Sequence, residues 1–512
     1  METPIDRSDI ELPARPTTTL KDAAFAGVRW VLVARAAGEV LAFAAAVSLA
    51  HLVSPAEFGR AAVALALVPL AVILTFEGCA SALVQRPTIT YAQRDVAILM
   101  SLGVGALLSL LSFALAYPVG GLVFGQRTAG LIELVSPVFL LASVGAVPRA
   151  MLWRQLDFKR VGLVEVASLT AGAGVSVSLA FSGVNAEAII AGALATTAVS
   201  SALLFAASPF RPRLLRRRDA AGDIAGFGIP AALAGLVHVG FANADYVILA
   251  ARLSPTSAGL YWRAFQLGVS YQEKISGIML RIAFPLYART TDRDELRRLH
   301  ERATRLHATT VLPLLAILIV AAPVLIPWLF GPAWRGAVVP SQILAVAGMV
   351  AAIMTGYPQV MLAVGRPKPL LRFNVGMLIV YAGVVLLAAP HGLTVVCITV
   401  VGAHLLILVA VYRLLLWPYA GVPMSRLLTD TLPALAGCLA LLGAGYATRE
   451  AIHGPAVVDL AAIGIVGGLA YLACIRFLFP AAWDDVSLVV RRVVPARRRS
   501  PATVPAFSPG AP

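Results

Sequence analysis

Charged and amide side chains recur inside apolar stretches of this 512-residue chain. Arg35 and Glu39 lie in the first stretch, Glu77 in the second, and Asn243 and Asp245 in the seventh. Arg263, Gln266, Ser270, Glu273, Lys274 and Arg281 lie in the eighth. At bilayer depth an ionised group costs roughly 2.5–3.5 kcal/mol even on a mild insertion scale, so each needs a partner, a hydrated cavity or a task. Turning about 100° per residue, the six polar residues of the eighth stretch fall within about 100° of arc. At about 1.5 Å rise they extend roughly 27 Å, close to the thickness of the hydrocarbon core. This polar stripe is expected to line a hydrated cavity; the alternative is a buried ion-pair network locking two helices. Arg35, Arg263, Lys274 and Arg281, with Gln266 and Ser270, suit an anionic ligand. Glu39, at i+4 from Arg35, either pairs with it or tunes it. Glu77, Asn243, Asp245 and Glu273 suit charge balance or the carriage of a proton or sodium ion.

The elements that must position these groups follow from composition. Hydrophobic residues make up 59% of the chain and charged residues 13%, with a mean hydropathy of +0.85. Soluble domains are about 45–50% apolar and about 25% charged. Val96–Gly125, Val166–Ala186, Ala188–Phe210, Ala225–Ala244, Ala308–Ala333 and Gly336–Gly365 contain no Asp, Glu, Lys or Arg. Runs of this length predict membrane-spanning helices rather than the segments of about 10 residues that build a membrane barrel. The composition excludes a soluble enzyme, a disordered scaffold and a disulfide-rich secreted module. About fourteen helices are expected, centred near residues 37, 70, 108, 142, 173, 198, 238, 271, 318, 349, 380, 403, 438 and 467. Gly, Pro and Ser punctuate the turns, as at Ser54-Pro55, Gly125-Gln126, Gly331-Pro332 and Gly454-Pro455.

Most of the 41 Lys and Arg residues fall on one side of this pattern, including the runs at 211–218, 289–305 and 491–499. The positive-inside rule places that side, and both termini, in the cytoplasm. The basic runs then read as topology determinants beside anionic lipid headgroups, not as nucleic-acid sites. Cys79, Cys397, Cys438 and Cys474 stand alone in apolar runs, without metal or redox spacing. No phosphate loop, H-E-x-x-H or G-x-S-x-G motif occurs, so neither an ATP-driven pump nor an enzyme is expected, and no cofactor or metal. No cleavable signal peptide is read in the polar first 20 residues. The longest segments outside the membrane are expected to be the tails and a loop around Asp292–Arg305.

Leu52-Val53-Ser54-Pro55-Ala56-Glu57-Phe58-Gly59 matches Arg252-Leu253-Ser254-Pro255-Thr256-Ser257-Ala258-Gly259, each copy between the first and second helix of a six-helix block. Both blocks start on the cytoplasmic side, so the duplication is a parallel repeat about the membrane normal. The expected organisation is a cytoplasmic tail over 1–21, an N-lobe over 22–208 and a basic linker over 209–224. A C-lobe over 225–417, two further helices over 418–480 and a basic tail over 481–512 follow.

The repeat motif, the stretch Arg149-Ala150-Met151-Leu152-Trp153-Arg154-Gln155-Leu156-Asp157-Phe158-Lys159-Arg160, the turn Leu329-Phe330-Gly331-Pro332-Ala333-Trp334 and the turn Leu362-Ala363-Val364-Gly365-Arg366-Pro367-Lys368 resemble those of Wzx-type polysaccharide flippases. These belong to the multidrug/oligosaccharidyl-lipid/polysaccharide exporter superfamily. The resemblance covers roughly residues 20–480. It implies an all-α integral membrane fold, with two six-helix lobes around a central cavity and two C-terminal helices, in a bacterial inner membrane. It implies an undecaprenyl-pyrophosphate-linked oligosaccharide as cargo, crossing to the periplasmic leaflet for O-antigen, capsule or exopolysaccharide synthesis. Membrane lipids and a polysaccharide polymerase or export machinery are the further partners, with coupling to H+ or Na+ open. The rival on the same fold is a cation-coupled multidrug antiporter, which the arginines of the first and eighth helices disfavour. A membrane scaffold and an intramembrane glycosyltransferase are the rivals of another class, and the transferase lacks a visible extramembrane substrate domain.

Overall fold

The computed structural model describes residues 10–11, 20–86, 88–208, 211–212, 218–290, 292–354 and 356–484. The architecture is all-α. The helices are α1 (Leu20–Leu52), α2 (Pro55–Gln85), α3 (Tyr91–Phe124), α4 (Gln126–Arg154), α5 (Phe158–Phe181), α6 (Ala186–Ala207) and α7 (Arg218–Arg252). After them come α8 (residues 255–289), α9 (Arg293–Phe330), α10 (Pro332–Ala363), α11 (Pro367–His391), α12 (Leu393–Ala420), α13 (Met424–Ala451) and α14 (Ala456–Leu478). Every expected centre falls inside a helix. A two-residue antiparallel pair, Ile10–Glu11 with Ile89–Thr90, is the only strand structure among the described residues.

Eleven of these helices, α2–α6 and α9–α14, are long and apolar enough to cross a membrane. About fourteen were expected. The apolar parts of α1 and α7 among the described residues are the shorter stretches Ala36–Leu52 and Ala221–Val237. Helix α8 is broken up by Arg263, Glu273, Lys274, Arg281 and Arg289. A departure concerns the residues around Asp292–Arg305, expected as a loop. They form the first turns of α9, one continuous helix of 38 residues.

Local chemistry sets the helix ends. Ser54 and Ser254 cap α2 and α8, each accepting from the backbone N–H three residues on, at 3.4 and 3.1 Å, and each is followed by Pro at the first helical position. Thr90 and Gln93 form a reciprocal capping box at the start of α3. Gly331 takes φ +94° between α9 and α10, a conformation that other residues rarely adopt. Among the described residues four stretches wind as π-helix: Ile73–Ala80 in α2, Ala116–Gly121 in α3, Gln266–Ser270 in α8 and Val411–Ala420 in α12.

The chain divides into two compact units. The first comprises 1–271, 322–347 and 366–407, and so holds α1–α7, the start of α8, the end of α9, the start of α10, all of α11 and most of α12. Its core includes Phe58, Leu131, Phe139, Ile190, Phe330 and Trp334. A second cluster gathers Tyr246, Tyr261, Phe265, Tyr381 and Val400. Helices there cross at glycines. A Cβ on Gly228 of α7 would lie 1.8 Å from the Gly78 carbonyl oxygen of α2. The second unit comprises 272–321, 348–365 and 408–512. In it α13 packs on α14, Arg305 donates to Asp430 at 3.3 Å, and the Tyr471 hydroxyl donates to the Thr309 carbonyl at 2.8 Å.

The two copies of the repeat motif pack on each other in the first unit. A Cβ on Gly59 would lie 1.9 Å from the Pro255 carbonyl oxygen, and one on Gly259 would lie 1.9 Å from the Pro55 oxygen. The reciprocity is that of a local two-fold axis, and neither backbone has room for a methyl group. Gly59→Ala is therefore expected to lower stability by about 1–3 kcal/mol through overpacking. Gly103→Ala and Gly174→Ala, where nothing lies within 4 Å, are expected to leave it unchanged or slightly raised. Unfolding midpoints of the purified variants check the contrast.

Candidate functional site

Three of the motifs singled out in the sequence converge in the first unit. The end of α1, the start of α2, the start of α8 and the α9–α10 turn meet around one side chain, Arg263. It is 1% exposed. Its guanidinium carbon lies 4.5 Å from the Phe330 ring centre, 5.1 Å from those of Phe58 and Trp334, and 5.3 Å from that of Trp262. One terminal nitrogen donates to Gln266 Oε1 at 3.3 Å and the other to the Ala46 carbonyl at 3.4 Å. Nε has no hydrogen-bond partner. No described carboxylate lies within ion-pair distance.

The cage walls are themselves pinned. Trp334, fully buried, donates its indole N–H to the Ala50 carbonyl of α1 at 2.9 Å, and His51 bonds the Leu329 carbonyl at 3.0 Å. Glu57, one residue before Phe58, is held by Arg60 and by Arg127, whose Nε and terminal nitrogen donate at 3.2 Å. Arg127 also pairs with Glu187 at 3.4 Å. A buried guanidinium loses several kcal/mol of hydration. Desolvated cation–π contacts return roughly 2 kcal/mol or more each, and the two long bonds to neutral acceptors add about 1.5–3 kcal/mol apiece at most. The cage can therefore tolerate the charge but does not neutralise it.

Asp245 of α7 is fully buried in the same unit. Oδ2 accepts from the Tyr261 hydroxyl of α8 at 2.6 Å and from the Tyr381 hydroxyl of α11 at 3.0 Å, and Oδ1 accepts from the Tyr246 N–H at 2.9 Å. Asn243 donates to the Val239 carbonyl one turn back at 2.8 Å. Glu39 and Glu77 are partly buried, Glu77 on the π-helical stretch of α2. Tyr271 lies within electrostatic reach of both Arg263 and Glu39.

The even spacing assumed for the stripe meets a π-helical stretch. A π-helical stretch holds about one more residue per turn than an α-helix. Gln266–Ser270 is such a stretch, so the even 100° advance does not hold through it. Gln266 and Ser270 are partly buried, and Glu273 and Lys274 are exposed. The side chains of Arg35 and Arg281 lie outside the described residues. Sequence reasoning missed the aromatic cage, the two tyrosines on Asp245 and the Arg127 clamp on Glu57. Phe58, Phe330 and Trp334 were visible within the quoted motifs, and Trp262 three residues beyond one of them.

A family model for polysaccharide biosynthesis proteins matches residues 48–339. The chain belongs to this family. The matched stretch contains the repeat motif, the cage and the Asp245 cluster's α7 and α8 members. Lipopolysaccharide biosynthesis protein WzxC of Escherichia coli (strain K12) is 24% identical over 360 residues, 70% of this chain and 73% of that protein. Teichuronic acid biosynthesis protein TuaB of Bacillus subtilis (strain 168) is 26% identical over 318 residues, 61% of this chain and 65% of that one. Among solved structures, lipid II flippase MurJ in an inward closed conformation covers 91% of this chain, and 99% of its own length is matched, with TM-score 0.68 and 13% identity. An inward-facing multidrug resistance MATE family transporter covers 78%, with 95% of its own length matched, TM-score 0.56 and 15% identity. These two establish the fold, that of multi-span membrane transporters.

If the cage keeps Arg263 for a purpose other than stability, Arg263→Met should fold at least as well as wild type. Replacing buried charges by apolar side chains of similar volume is often neutral or stabilising by about 1–4 kcal/mol. Thermal unfolding of the two purified proteins checks this; a clear loss of stability would make Arg263 a structural element.

Proposed function

We propose that the protein is a flippase for polysaccharide precursors. It moves an undecaprenyl-pyrophosphate-linked oligosaccharide from the cytoplasmic to the periplasmic leaflet of a bacterial inner membrane by alternating access. The product feeds synthesis of a surface polysaccharide. Family membership and the relatives named above support the class. The observation that carries the substrate reading is Arg263, a buried guanidinium with no described acidic partner, at the point where the repeat motifs meet.

A pyrophosphate supplies the missing counter-charge in the form a guanidinium binds best, through parallel charge-assisted hydrogen bonds. The polyprenyl tail stays in lipid while the polar head crosses, so only the head needs a hydrated path. Arg35, Lys274 and Arg281 are the further cations in this reading, with Gln266 and Ser270 as neutral hydrogen-bonding groups. Glu39, Glu77, Asp245 and Glu273 balance them or take part in ion coupling. Both termini lie in the cytoplasm, the two six-helix lobes move against each other during transport, and the protein performs no covalent chemistry. A buried cation is the wrong sign for a pump of cationic drugs.

The test uses a strain lacking the gene, with the leaflet of the lipid-linked repeat unit read by enzymatic accessibility in spheroplasts. Wild type is expected to restore periplasmic exposure. Arg263→Met, at normal abundance, is expected to restore it about 10–100-fold less well, the value of a charge-assisted contact worth about 1.5–3 kcal/mol. Full restoration by Arg263→Met would remove the arginine from the cargo site. Periplasmic exposure without the gene would remove the flippase reading.

A further inference from the structure

The second unit holds a polar cluster to which neither the stripe nor the cage assigns a task. Helix α9 carries His300 and His307, 3% and 6% exposed. They are seven residues apart, two turns along one helix face. His307 Nε2 lies 2.9 Å from the hydroxyl of Ser276 on α8. That hydroxyl is also 2.7 Å from Gln272 Oε1 and 2.8 Å from the Gln272 carbonyl. Gln272 and Ser276 are 2% and 1% exposed, and Gln272 Nε2 has no partner. His300 lies 6.3 Å ring to ring from Tyr287 of α8 and packs on Gly356 of α10. Both of its ring nitrogens are buried without a hydrogen-bond partner. Buried polar groups are almost always paired, and here several go unpaired within one unit.

Proton bookkeeping makes the cluster two-state. Ser276 has one hydroxyl proton. If it goes to Gln272 Oε1, the 2.9 Å contact requires an N–H on His307 Nε2. If it goes to a bare His307 Nε2, then Gln272 must turn its amide so that Nε2 faces Ser276. An imidazolium His307 must donate from Nε2 and so leaves the Ser276 proton on Gln272, whereas neutral His307 can take either tautomer and admits both arrangements; protonation thus restricts the orientation of Gln272, the residue immediately before Glu273 and Lys274 on α8.

We infer that His307, with Ser276 and Gln272, forms a proton-binding site that reports proton occupancy to α8, and that His300 is its neighbouring station toward the N-terminal end of α9. The inference rests on the flippase reading only for what the proton drives. Binding is a simple transfer: a hydronium ion gives its proton to the imidazole, leaving imidazolium and water. Imidazolium Nε2–H donates to Ser276, whose hydroxyl then turns to Gln272. The surrounding charged and titratable groups are Tyr287 on α8, Tyr357 on α10 beside Gly356, Tyr412 on α12, and Asp430 and Arg426 on α13. Tyr471 reaches Thr309 from α14, and α9 itself adds Arg297, Glu301, Arg302 and Arg305. Tyr412 lies within electrostatic reach of Tyr287, Glu301 and Asp430, and Arg305 pairs with Asp430 at 3.3 Å.

The first test needs no cargo. The full chain in lipid nanodiscs, labelled with 13C at histidine Cε1, is titrated from about pH 4 to 8, the range in which histidines change charge. Resonances are identified with His307→Gln and His300→Gln. The His307 resonance should titrate, and Ser276→Ala, which removes only a hydroxyl, should move its midpoint by about half a pH unit or more. A His307 resonance that does not titrate, or a midpoint unmoved by Ser276→Ala, overturns the site. The second test uses proteoliposomes and a fluorescently tagged polyprenyl-pyrophosphate disaccharide, with flipping read by dithionite quenching. Wild type should respond to an imposed pH gradient and His307→Gln should not. An identical gradient response in both overturns the coupling. Absence of flipping by wild type would count against the flippase reading alone, since the titration stands apart from it.

Discussion

The structure turns on one electrostatic constraint: a guanidinium buried where no described carboxylate neutralises it. Arg263 is accommodated by ring faces and two neutral acceptors, and those come from four helices, α1, α2, α8 and α9, and from the turn into α10. The cage exists only if these elements meet at one place. The Ser-Pro caps start α2 and α8 cleanly, Gly331 turns α9 into α10, and Trp334 is tied to the carbonyl of Ala50. Two of the motifs that mark the family in sequence, the repeat and the α9–α10 turn, thus help enclose this charge.

The approach of α2 and α8 that brings Phe58 to Arg263 depends on absent side chains. Gly59 and Gly259 each sit against the backbone of the other copy of the motif. The duplication therefore serves as a packing surface as well as an ancestry. Its two copies have diverged in charge: where the second carries Arg263, the first carries Val63 200 residues earlier, and Tyr261 stands opposite Ala61.

Helix positions were legible because apolar runs of this length admit one backbone solution in a bilayer. The repeat was legible because capping and close packing need particular residues at particular places. The π-helical stretch at Gln266–Ser270 in α8 was illegible, since no residue marks it in the sequence. Tyr381 on Asp245 was illegible, since the two are 136 residues apart and a tyrosine in an apolar run reads as core. His300 and His307 were missed because an arginine-rich segment was read as a loop, whereas its charges line the first turns of a long helix that buries both rings. The side chains of Arg35 and Arg281 lie outside the described residues.

The central claim is that the charge of Arg263 is kept for an anionic head group. It is tested most directly by the unfolding midpoint of the purified full chain titrated with undecaprenyl pyrophosphate. A ligand that binds only the native state raises the midpoint in proportion to its affinity. The account predicts a concentration-dependent rise in wild type that is lost in Arg263→Met. An equal rise in both proteins would show that the pyrophosphate is held elsewhere and would contradict it.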